Sequence, residues 1–167
     1  MRNAIVHIGA HKTGTTYLQL VFQGLRQHGL CFPEVWSQSP DQPGHRKLFE
    51  ALASDGPVPN IDLTDGPVLI SSEDLCYLRG TQVGRLRVAL GDASVRIVFY
   101  CRRWSDMLPS VWAERVKHGF DDPLPRLVGA VRADASRPAF VNFEAILQAY
   151  ADVFGRSAIE IVSYSAI

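Results

Sequence analysis

Short apolar runs alternate along the chain with amphipathic stretches, and the apolar runs end abruptly in small or charged residues. Ala4-Ile5-Val6-His7-Ile8-Gly9 is apolar at almost every position, the pattern of a strand covered on both faces in a parallel sheet. His7 alternates into this run and reads as a structural residue. From Thr15 the period changes: Leu18, Val21, Phe22 and Leu25 recur at helical spacing up to Gly29, which suits the residue just past a helix end. Leu30-Cys31-Phe32-Pro33 reads as a short second strand, residues 37–44 as a Pro/Ser/Gln loop, and Arg46 to Ala53 as a helix. Beyond a breaker-rich loop, Pro67-Val68-Leu69-Ile70-Ser71-Ser72 predicts a strand running into Glu73-Asp74, and residues 81–90 predict a helix. Val95 to Cys101, rich in β-branched and aromatic residues, is the most strand-like run and ends in Arg102-Arg103. Leu108, Val111, Trp112, Arg115 and Val116 trace a helix closing near Gly119, with Pro109 expected in its first turn. Asn142 is placed as the cap of a helix to about Phe154, and Ile159 to Ser163 as the start of another strand.

Strands that alternate with helices predict a single α/β domain over residues 1–167, a mainly parallel sheet flanked by helices in three layers. In such sheets ligands bind outside the carboxyl ends of the strands, where this chain carries its polar clusters. Composition narrows the functions. With 47% hydrophobic and 20% charged residues the chain can build a core, and 17 Lys+Arg against 17 Asp+Glu leave a formal net charge of zero. No basic stripe points to nucleic acid, and no run reaches the length of a membrane helix, so any anion site must be local. Cys31, Cys76 and Cys101, odd in number and widely spaced, read as buried reduced thiols, consistent with a cytoplasmic protein.

Two motifs carry chemistry. Gly9-Ala10-His11-Lys12-Thr13-Gly14-Thr15-Thr16 lies between a predicted strand and helix, where small residues let backbone N–H groups close around an anion at a positive helix end. Gly9 and Gly14 have P-loop spacing, yet the lysine stands two residues before Gly14 rather than directly after it. Lys12 is thereby aimed at the outer, reacting end of a bound phosphate chain. In the second motif Arg102 ends a strand and Ser110 stands eight residues on, near the expected helix start; together they can grip another anion.

With both motifs in this order, the chain resembles the sulfotransferases that use 3′-phosphoadenosine 5′-phosphosulfate (PAPS). Lys12-Thr13-Gly14-Thr15-Thr16 matches that family's loop for the 5′-phosphosulfate, and Arg102 with Ser110 matches its pair for the 3′-phosphate. The resemblance covers about residues 4 to 118. It implies a P-loop-like sulfotransferase fold, PAPS as sulfuryl donor, no metal, and an acceptor hydroxyl or amine, with a carbohydrate as the first expectation. The family continues with a basic loop beyond the point where this sequence stops, so the resemblance also implies a C-terminally incomplete chain.

Sulfuryl transfer, like phosphoryl transfer, asks a protein chiefly for positioning and charge stabilisation. Lys12 suits the leaving charge, and Thr13 to Thr16 supply N–H and hydroxyl donors. The acceptor needs a general base, for which Glu73 is the candidate and His11 the rival; the family places a Glu or a His near this point. Lys117 and His118 read as a charge pair at a helix C-terminus. The competing functions are a P-loop nucleotide kinase, disfavoured because the strands end in Ser-Ser-Glu and Arg-Arg instead of a Walker-type Asp, and a nucleotide-binding remnant without chemistry.

Overall fold

A computed structural model describes residues 2–63, 66–134 and 139–164. Four strands, β1 (Asn3–His7), β2 (Val68–Ser71), β3 (Ser94–Cys101) and β4 (Ile159–Ser163), form an all-parallel sheet in the order β2-β1-β3-β4. Its helices are α1 (Thr15–Gly24), α2 (Arg46–Ala53), α3 (Thr81–Ala89), α4 (Trp104–Lys117), α5 (Leu124–Ala133) and α6 (Phe143–Phe154). The predicted α/β class with a parallel sheet is the observed one. Because β2 pairs on one side of β1 and β3 on the other, the strand order switches sides at β1, and the loop after β1 opens at the switch point where such sheets bind ligands.

Alternation along the strands decides the core. Ala4, Val6, Val68, Ile70, Ile97 and Phe99 point to one face and are buried under Leu48 and Leu52 of α2, Val83 and Leu86 of α3, and Ile146 and Tyr150 of α6. On the opposite face Phe22 of α1 stands edge-on to His7, while Ile5, Val98 and Tyr100 remain half-buried. A smaller cluster around Met107, Val111, Leu127 and Val131 joins α4 to α5.

Asn142 caps α6 as expected: its side-chain oxygen accepts from the Ala145 N–H at 3.0 Å, an arrangement worth about 1 kcal/mol. Gly29 (φ 82°) follows the 3₁₀ turn Leu25–His28 that extends α1, in the left-handed conformation expected of it.

Four expectations need correction. Residues 30–33 form no strand; only Cys31 bridges to Val68, through its N–H to Pro67 O and its carbonyl to Leu69 N, since Pro33 cannot extend the ladder. Pro109 lies in the second turn of α4, because that helix starts at Trp104, directly after Arg103. Ser110 therefore sits two turns along α4, not near its start. Cys76 is buried with its thiol pushed up to about 12 by desolvation, but Cys31 and Cys101 are only half-buried; among the described residues none of the three forms a disulfide. Among the described residues no helix is long and apolar enough to cross a membrane.

Candidate active site at the carboxyl edge of the sheet

The loop after β1 stays tied to the sheet before it turns. Tyr100 N–H donates to Gly9 O at 2.7 Å and Ala10 N–H to Tyr100 O at 2.9 Å, so the chain leaves the edge only after Ala10. Gly9 (φ 92°) is needed there: a Cβ would press within 3.2 Å of the Glu73 backbone, where the β1 and β2 ends meet. Lys12 (φ 64°) and Gly14 (φ 69°) then take left-handed conformations, and Gly14 leads directly into α1. Successive turns of this kind are how a loop gathers its N–H groups into a concavity for an anion.

The hydroxyls of this loop divide between two tasks. Thr13 is buried and donates to Ala10 O at 2.6 Å, closing the turn from inside. Thr15, also buried, donates to the Glu73 carboxylate. Among the described residues the Thr16 hydroxyl has no partner. Arg102, at the end of β3, donates to the Lys12 carbonyl at 2.7 Å, so the two motifs 90 residues apart in sequence meet at one point. The Arg102 guanidinium also lies over the Tyr164 ring, 5.1 Å from its centroid, and that ring sits 3.5 Å from where a Cβ on Gly14 would be.

On the face of α4 that turns toward this loop, Glu114 lies 3.2 Å from the Lys12 ammonium. Its bond with Lys12 is the chief reason its carboxyl titrates below the ordinary carboxylate range. Lys117 and His118 lie 3.4 and 3.6 Å from the same carboxylate at the end of α4. Ser110 is one helical turn before Glu114 and so shares its face. Its hydroxyl makes no bond to Arg102 among the described residues.

Glu73 opens a 3₁₀ turn, Glu73–Tyr77, directly after β2 and Ser72. The two candidate bases are neighbours, with His11 Nδ1 3.6 Å from one Glu73 oxygen. His11 is 4.0 Å from Asp74 and is wedged between the rings of Tyr77 and Phe140, so it turns toward the carboxylates and away from the anion loop. Desolvation pushes the Asp74 carboxyl up, against the opposing pull of His11 and Arg46. Beneath this corner, two buried histidines fix the end of β2. His7 Nδ1 meets the Ser71 hydroxyl at 2.8 Å, and the Ser71 N–H donates to His45 Nδ1 at 3.0 Å. Burial pushes both imidazoles down to about 4, with Glu73 opposing the shift at His7, so both are neutral.

Sequence reasoning missed three side chains here. Gln19 is buried, one turn after Thr15, while Val21 and Leu25 of the expected apolar stripe are more than a third exposed. The side of α1 that packs inward is thus its Thr15–Gln19 edge, and the i,i+4 spacing of two polar residues right after the anion loop was the available signal. Glu114 and Tyr164 carried no local pattern; only the fold brings them to the loop.

No protein-family model matches the chain, and no curated protein sequence matches it. Among solved structures it is similar to the crystal structure of a sulfotransferase from Alicyclobacillus acidocaldarius, with a TM-score of 0.61 over 99% of this chain and 74% of that chain, at 16% sequence identity. The fold is therefore the P-loop-like α/β fold of that sulfotransferase.

Proposed function

We propose that the protein is a sulfotransferase that moves a sulfuryl group from PAPS to an acceptor hydroxyl or amine. The observation that carries this reading is the Arg102 bond to the Lys12 carbonyl, which joins the loop suited to a 5′-phosphosulfate to the strand end suited to a 3′-phosphate. In it, the N–H groups of the Lys12–Thr16 turn and the Thr16 hydroxyl hold the 5′-phosphate at the start of α1. Arg102 and Ser110 hold the 3′-phosphate, and Tyr164 offers its ring to the nucleotide beside them. Glu73 accepts the proton of the acceptor hydroxyl as that oxygen bonds to sulfur. Lys12 stabilises the negative charge that collects on the departing phosphate oxygen as the bond from sulfur to that oxygen breaks. His11, against Glu73, orients the carboxylate, and Thr15 fixes it from the other side. None of these steps draws on a metal.

The reading is tested by calorimetric titration with 3′-phosphoadenosine 5′-phosphate, with AMP and with ATP plus Mg²⁺. Preference for the 3′-phosphorylated nucleotide, reduced at least tenfold in Arg102→Ala, is the expected result; losing one charge-assisted contact of about 1.5–3 kcal/mol predicts that size. Equal binding of AMP, or tighter Mg²⁺-dependent binding of ATP, overturns it.

A further inference from the structure

A cleft of about 350 Å³ opens beside Glu73, between α1, the 37–44 loop, the first turn of α2 and the corner Ser72–Asp74. Its wall is preformed. The His45 N–H donates to Ser71 O at 2.8 Å, the Ser37 hydroxyl to Pro43 O at 2.8 Å, and Gln38, Ser39 and Gln42 close a tight turn through their backbones. Gly44 allows the loop to lie against α1, since a Cβ there would come within 2.6 Å of the Gln19 amide.

The lining has an unusual chemistry for a small-molecule pocket, which is ordinarily mostly apolar. Among the described residues it presents no aliphatic or aromatic side chain. Primary amides come from Gln19, Gln38 and Gln42, each able to donate and accept. An apolar acceptor would strip water from these groups and leave them unpaired, at about 1–3 kcal/mol for each one buried. A polyol would instead bond to them. Charge narrows the choice further: Asp41 and Asp74 join Glu73 in the lining, against Arg46 as its cation, so the cleft repels a ligand that already carries sulfates or carboxylates.

We infer that this cleft is the acceptor site and that it takes a neutral or amino carbohydrate, in preference to a phenol, a lipid or a polyanionic sugar. The inference rests on the proposed sulfuryl transfer for the role of Glu73, but the cleft's ligand chemistry is testable without turnover.

Saturation-transfer NMR on the purified chain, with 3′-phosphoadenosine 5′-phosphate present, would compare cellobiose, chitosan disaccharide, a sulfated chondroitin disaccharide and 4-nitrophenol. The expected result is transfer to cellobiose or the chitosan disaccharide, falling at least threefold in Gln38→Leu/Gln42→Leu while nucleotide affinity is unchanged. Both positions are exposed, so the double variant should fold, and its thermal unfolding is the control. Transfer chiefly to 4-nitrophenol or to the sulfated sugar, no transfer to any probe, or sugar signals indifferent to the double variant overturns the inference. Loss of nucleotide binding with sugar signals intact would instead defeat the donor reading alone.

Discussion

Lys12 is held at both ends before any ligand arrives, its carbonyl by Arg102 and its ammonium by Glu114. On the proposed reading a phosphosulfate oxygen would compete with the Glu114 carboxylate for this ammonium. Glu114→Gln is accordingly expected to tighten binding of 3′-phosphoadenosine 5′-phosphate by roughly two- to fivefold at low salt, the range of an exposed ion pair, and by less at high salt. Unchanged affinity at both ionic strengths would show that the pair does not gate the loop. The left-handed backbone of Lys12 bears on how the residue is replaced. Lysine itself meets a steric penalty of about 1–2 kcal/mol there, which alanine keeps, whereas asparagine visits this conformation readily. If the proposed transfer is right, Lys12→Asn and Lys12→Ala should each lose about 10²–10³ in sulfuryl-transfer rate, with the asparagine variant the more thermally stable of the two. At this scale the sequence was informative about local geometry, as in the turn at Lys12–Thr16 between β1 and α1, and silent where contacts depend on folding. Glu114 on α4 and Tyr164 just after β4 reach the loop through the fold alone, with no spacing to announce them.

The end of β2 shows how an element aims a functional group. Ser71 is pinned by His7 from β1 and by His45 from the start of α2, and Glu73 follows two residues later. Both imidazoles are buried and neutral, with pKa values pushed down to about 4, against about 6.5 in an unfolded chain. Between these values the unfolded state binds more protons, so stability is complete above about pH 6.5 and declines as the pH falls toward 4. The limit is about 3 kcal/mol for each histidine. Urea midpoints measured from pH 7.5 down to 4.5 should fall steadily, and a flat profile would mean that neither imidazole is held neutral by burial. Elements with strong periodicity were legible: α2, β2, β3 and α6 lie within a residue or two of their predicted ends. α5 was not foreseen, although Leu124, Leu127, Val128 and Val131 have helical spacing and Pro123 and Pro125 stand at its start. Proline is tolerated in a first helical turn, where its missing N–H would have had no partner. The same rule misplaced the start of α4, which begins before its proline.

For the molecule as a whole, the alternation of strands and helices was enough to foresee a parallel α/β sheet. It could not supply the strand order β2-β1-β3-β4, which depends on crossover paths and is what sets the loop after β1 between the ends of its two neighbours. That order also grades the sheet in time. β1 exchanges hydrogen bonds with strands on both sides, whereas β4 is bonded within this sheet to β3 alone, and its Ile161 is 56% exposed. Amide deuterium uptake should thus be slowest in residues 3–7 and among the fastest of the strands in residues 159–163. Tyr164 follows β4 immediately and lies under Arg102, so on the proposed reading a nucleotide bound there would clamp an edge strand. Adding 3′-phosphoadenosine 5′-phosphate should slow uptake in 159–163 far more than in 3–7, making the outermost strand the reporter of occupancy at the centre.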